Sequence, residues 1–134
     1  MKGCTPLLLL LLLAPVRMAA PAAGAEGQMV EITAASDNTF HVAHEKSPLI
    51  RAHPGELLRL RVTSERGAEM ARDGAVHSLV IRSLRLEGWD IRLYEGTHVY
   101  EVKAPAMPGE YLIECTVKCG RGHDDMRLKM LVEK

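Results

Sequence analysis

Residues 54–63 read Pro54-Gly55-Glu56-Leu57-Leu58-Arg59-Leu60-Arg61-Val62-Thr63 (PGELLRLRVT), a turn that runs into a strand. Proline presets one backbone angle and glycine supplies the freedom that a tight reversal needs. After the turn, Leu58, Leu60 and Val62 alternate with Arg59, Arg61 and Thr63. A period of two puts the apolar side chains on one face of a pleated strand and the polar ones on the other, whereas a helix needs a period of 3.6.

Working outward, the same alternation recurs at Val30, Ile32 and Ala34, at His77, Leu79 and Ile81, at His98, Tyr100 and Val102, and at Leu128, Met130 and Val132. Turn signals separate these runs at Arg66-Gly67, Asp73-Gly74, Glu87-Gly88, Glu95-Gly96 and Pro108-Gly109. About seven short strands, with no convincing helical stretch, predict one all-β domain built as an antiparallel sandwich or Greek-key barrel. The polar, glycine-punctuated stretch SERGAEMARDGA, residues 64–75, is expected to form a loop with one helical turn.

The beginning of the chain has a different character. Lys2 precedes the apolar run Pro6 to Val16, and Ala23-Gly24-Ala25 has the small-residue form at which exported proteins are cleaved. Residues 1–25 are therefore expected to be a signal peptide and residues 26–134 the exported, periplasmic or extracytoplasmic domain. The apolar run falls short of the about 20 residues that crossing a bilayer takes, which favours a cleaved leader over a retained anchor. Cys4 stands before the run, where a lipid-bearing cysteine would not.

Charge excludes several functions. The chain has 17 Lys+Arg and 17 Asp+Glu, so it carries no basic footprint for nucleic acid. Aromatics make up 4%, too few for stacking platforms on single strands. Of 3 cysteines, Cys4 would leave with the leader, which leaves Cys115 and Cys119 in a compartment where thiols are oxidised or metal-bound.

Those two cysteines lie in CTVKCGRGHDDM, residues 115–126, together with His123 and Met126. Two thiols, an imidazole and a thioether on one loop make a soft donor set that favours copper over magnesium or calcium, which prefer oxygen. Cys115 continues the alternation of Tyr111 and Ile113, so its sulfur should point with the buried side chains. His77, which opens a strand and projects with Leu79 and Ile81, is the best-placed second imidazole. The site would then exist only once strands distant in sequence have packed. Three plainer readings stand beside this one: a Cys115–Cys119 disulfide, a zinc site on two Cys and two His, and a satisfied core histidine at position 77. The disulfide leaves His123 and Met126 unexplained, and a thioether is a poor zinc ligand. His41, His44, His53 and His98 are expected on the surface. Met70, Met107 and Met130 are expected in loops or core, and Asp124 and Asp125 on a solvated rim.

At these residues the sequence resembles the copper A domains of cytochrome c oxidase subunit II and nitrous oxide reductase, which are cupredoxins. Their C-x-x-x-C-G-x-x-H-x-x-M loop follows a P-G-x-Y strand, and here Pro108-Gly109-Glu110-Tyr111 leads to Cys115, Cys119, Gly120, His123 and Met126 at the same intervals. Ala75-Val76-His77-Ser78 is similar to the family's upstream histidine strand. The resemblance is close from His77 to Lys134 and generic from Gln28 to Ser64. It implies a cupredoxin-like Greek-key β-sandwich in which Cys115 and Cys119 bridge two copper ions in a mixed-valence pair. His77 and His123 would each bind one ion, Met126 would be a weak axial ligand, and the backbone carbonyl of Val117 would complete the set.

The departures from the family bear on its role. Val117 stands where most oxidase subunits carry a glutamate that reaches a shared magnesium site. Trp89 is the sole tryptophan, so the aromatic cluster that receives electrons from cytochrome c has no counterpart, and no transmembrane hairpin is present in the sequence. The expectation is a free-standing exported electron carrier, not itself an enzyme, working with a redox protein such as a c-type cytochrome or an oxidase. It would meet a membrane only through such a complex. Two alternatives remain open: a copper carrier or assembly factor for another cuproenzyme, and a subunit II-like component of a respiratory oxidase.

Overall fold

The computed structural model describes residues 26–134, and the expected leader at residues 1–25 lies outside them. Nine strands follow one another: β1 (Gln28–Ala34), β2 (Phe40–Val42), β3 (Leu49–Ala52), β4 (Leu57–Ser64), β5 (His77–Val80), β6 (Asp90–Leu93), β7 (Gly96–Lys103), β8 (Gly109–Glu114) and β9 (Arg127–Val132). The helical content of these residues is two short 3-10 segments, Arg82–Glu87 and His123–Asp125. No helix among the described residues is long and apolar enough to cross a membrane.

The strands form a four-stranded sheet in the order β2-β1-β4-β7 and a five-stranded sheet in the order β3-β9-β8-β5-β6. Both supply one core. Ile32 of β1, Leu58, Leu60 and Val62 of β4, Leu79 of β5, Ile113 of β8 and Leu128 and Met130 of β9 are all buried in it. Trp89, 1% exposed, closes one side and donates its indole N–H to the Lys103 carbonyl at 3.0 Å.

The architecture is the expected all-β sandwich, with three differences of detail. The sheets are mixed, because β1 pairs with β4 and β3 with β9 in parallel while the other pairings are antiparallel. Alternation reports which face of a strand is dry and is silent on the direction of its neighbour. Strands β2, β3 and β6 were not expected; they are three or four residues long, too short to display a repeat of two convincingly. The third difference is the segment after β4, which has no helical turn. Instead Gly74 N–H donates to the Ala71 carbonyl at 3.0 Å, and Asp73 accepts from Ala75 N–H at 3.2 Å. The Arg92 guanidinium grips the same carboxylate at 2.7 and 3.0 Å.

Strand β5 positions the site. It lies between β8 and β6 in its sheet, and all four of its residues are buried, two of them polar. The sequence parity of His77, Leu79 and Ile81 places the imidazole on the core side, at the end of the sandwich where β8 runs out into the loop of residues 115–126.

Candidate metal centre

That loop is closed at its neck by a backbone bond from Cys115 N–H to the Met126 carbonyl, 3.1 Å. Inside it, Gly120 and Gly122 take φ values of 119° and 89°, in the region that L side chains rarely enter, and a 3-10 turn carries His123. The loop thereby folds back on itself instead of running on as a hairpin. Cys115, Val117, Cys119 and Met126 are each no more than 5% exposed, and His123 is half-buried at the rim.

The side chains converge on the Cys119 sulfur. Cys119 Sγ lies 4.0 Å from Cys115 Sγ, 3.6 Å from His123 Nδ1 and 3.9 Å from Met126 Sδ. Cys115 Sγ stands 3.4 Å from the Val117 carbonyl oxygen. His77 joins them: its ligand nitrogen and the two sulfurs lie within 4.8 Å of one another, all three residues buried. A disulfide requires about 2.05 Å between sulfurs, and both cysteines are free.

The His77 ring is held by one side only. Nε2 lies 2.8 Å from the Glu65 carbonyl, a pure acceptor, so Nε2 carries the hydrogen and donates it. Nδ1 is then a bare lone pair, buried and without any hydrogen-bond partner. A buried acceptor in that state costs about 1–3 kcal/mol, and a metal ion among two sulfurs and a second imidazole would satisfy it. The residues present therefore fit a thiophilic metal.

The electrostatics of the pocket suit neutral groups. Burial pushes the Cys119 thiol up to about 12, and the neighbouring Cys115 adds to the rise. Burial also holds the His77 imidazole below its ordinary value; the Glu65 carbonyl works against that shift, and nearby His123 reinforces it. The Cys119 thiol proton therefore stays on at neutral pH until something displaces it.

A supporting layer absent from the sequence reading holds these donors. Ser78 Oγ accepts from Thr116 N–H at 2.8 Å and pairs with Thr116 Oγ1 at 3.0 Å, tying the residue after His77 to the residue after Cys115. The segment expected to be a loop with one helical turn orients His77 through Glu65 and donates Glu69 N–H to the Cys119 carbonyl at 3.2 Å. A carbonyl belongs to every residue, so no sequence signal marks Glu65. The other histidines stay apart: His41, His44, His53 and His98 are exposed. Met70 and Met107 are exposed and Met130 is in the core.

No protein-family model and no curated protein sequence matches the chain. Solved structures do. A chain from a heme-copper terminal oxidase dimer superposes with a TM-score of 0.57 at 19% identity, over 90% of this chain and 76% of that one. The periplasmic domain of subunit II of cytochrome oxidase from Bradyrhizobium japonicum gives 0.51 at 15% identity, over 79% and 83%. Auracyanin A, a blue copper protein of Chloroflexus aurantiacus, gives 0.50 at 18% identity, over 79% and 98%. At such identities the likeness speaks for the arrangement of strands, and the conclusion it supports is that this chain has the cupredoxin fold.

Proposed function

We propose that this protein is a copper-binding electron-transfer domain with a binuclear site of the copper A type. The observation that carries the reading is a pair of free, buried thiols 4.0 Å apart beside a buried imidazole whose Nδ1 has no partner. One metal on one thiolate would leave the second sulfur without a use, whereas two thiolates can each touch two ions. In this reading His77, His123, Cys115 and Cys119 would hold the two ions, and Met126 and the Val117 carbonyl would complete the set as weaker ligands.

Bound there, a copper pair would supply a one-electron couple whose charge change is spread over two ions. The chain contributes rigidity and exclusion of water. Ser78, Glu65 and the neck bond at Cys115 hold the donors before metal arrives, so little rearrangement opposes gain or loss of an electron. The apolar packing of Val117, Cys119 and Met126 keeps solvent from the sulfurs. His123, half-buried at the rim, is the donor nearest to a docking partner, an exported redox protein such as a c-type cytochrome or an oxidase. Export itself would follow from removal of residues 1–25.

A copper-delivery role is the second reading, favoured by the open groove of about 350 Å³ over His123, which Glu69, Lys118 and Arg121 line. Copper release to a chelator, measured beside electron self-exchange, separates the two roles: a carrier of electrons releases slowly and exchanges fast. The binuclear site is tested by metal stoichiometry with spin resonance. Two coppers per chain, with hyperfine coupling to both nuclei, are expected. A four-line spectrum from a single copper, or a preference for zinc, would sink the reading.

A further inference from the structure

The turn between β1 and β2 carries Asn38 at φ 63°, a left-handed conformation that asparagine tolerates better than most residues. Its side chain is not at the surface. Asn38 is 4% exposed, and its Nδ2 donates to the Arg121 carbonyl at 2.7 Å and, more weakly, to the Cys119 carbonyl at 3.4 Å. Both contacts are carbonyl oxygens, so the nitrogen must face them; the reversed amide would set oxygen against two oxygens. Asn38 Oδ1 is buried without a partner and lies against Gly67, where a Cβ would come within 2.6 Å of it and within 2.5 Å of the Cys119 carbonyl oxygen.

The two carbonyls flank Gly120, and Gly122 follows. Two glycines with positive φ give this turn many alternative forms in an unconstrained chain. Its one observed form decides whether Cys119 Sγ and His123 Nδ1 meet, as they do at 3.6 Å. The only side-chain hydrogen bonds onto the Cys119 and Arg121 carbonyls among the described residues come from Asn38.

We propose that Asn38 is a positioning residue of the metal site: its amide clasps the turn from Cys119 to Gly122 and so sets Cys119 and His123 in register before metal binds. That role rests on the copper site proposed above, although the clasp itself can be tested without metal.

Asn38→Gly and Asn38→Asp both admit the left-handed backbone; the first has no donor, and the second, as a carboxylate, can only accept. In the metal-free protein, hydrogen exchange at the His123 and Asp125 amides should accelerate about tenfold, the size expected for losing one net hydrogen bond. The Leu60 amide, in the middle of β4, should keep its rate. Copper-loaded variants should release metal to a chelator about tenfold faster and show broadened hyperfine lines. Unchanged exchange at His123 and Asp125, equal acceleration at Leu60, or an unaltered hyperfine pattern overturns the proposal. If the parent chain binds no copper, the copper reading fails by itself, and exchange at His123 still decides whether Asn38 holds the turn.

Discussion

Strands β4 and β5 are both central to their sheets and both rich in burial, yet they follow opposite rules. Along β4 exposure alternates, and the outward side chains meet water and each other: Arg61 lies 3.7 Å from Glu31, and Thr63 Oγ1 is 2.9 Å from Thr97 Oγ1. On β5 nothing is wet. Its serine and histidine must find every partner inside the protein, and Ser78 does while His77 finds one of two. A strand with one face in solvent stabilises the fold; a strand buried on both faces can hold a polar group in a state that water would otherwise satisfy. The unsatisfied nitrogen is where metal chemistry becomes possible.

The largest effect expected from breaking this contrast is at the β5 pole. Cys119→Ser should abolish the two-copper spectrum while circular dichroism still reports the sandwich, because serine nearly matches the volume and lacks the soft sulfur. The mirror experiment lies on β4. Leu60→Ala, at a fully buried position, should lower unfolding free energy by about 2–5 kcal/mol and leave copper stoichiometry as it was. If Leu60→Ala changes the copper stoichiometry, or Cys119→Ser loses the sandwich by circular dichroism, the division between scaffold and site fails.

The pH response comes next in size. Copper must displace the Cys119 proton, whose pKa stands at about 12 without metal, so apparent copper affinity should fall roughly tenfold for each unit of acidification in the neutral range from that proton alone. Stability of the metal-free chain should be limited on both sides. A raised thiol pKa gives stability that is complete below the ordinary cysteine value of 9.0 and is lost as pH climbs towards about 12. The lowered imidazole pKa of His77 gives stability that is present above 6.5 and is lost as pH falls. Denaturant titrations across pH would show both limbs, and Cys119→Ser should flatten the alkaline one. The smallest effect is on the wet face of β4, where Arg61→Gln should change stability by no more than about 0.5 kcal/mol, since both partners of its ion pair are exposed.

Legibility in the sequence follows the same divide. β1, β4 and β9 were readable because one face of each meets the core and the period of two survives, whereas along β7 only Val102 is buried, Tyr100 is partly so and His98 is exposed. β2, β3 and β6 were too short for a period. At the site, the spacing of Cys115, Cys119, His123 and Met126 was visible because all four lie on one loop, and His77 because it opens a strand. Glu65, Ser78 and Asn38 were invisible: one acts through its carbonyl, one is an ordinary strand residue, and one reaches 83 positions along the chain to Arg121.

By itself the sequence determined an all-β chain and a loop of soft donors, because strand period and ligand spacing are local properties that need no knowledge of neighbours. Only the tertiary structure decided that β1 and β4 run parallel, that the two sulfurs stand apart as thiols, and that a His77 ring nitrogen lies within 4.8 Å of them while its Nδ1 is left without a partner. Those are facts about which groups remain unsatisfied after packing, and hydrogen-bond satisfaction is settled between segments that the order of residues does not bring together.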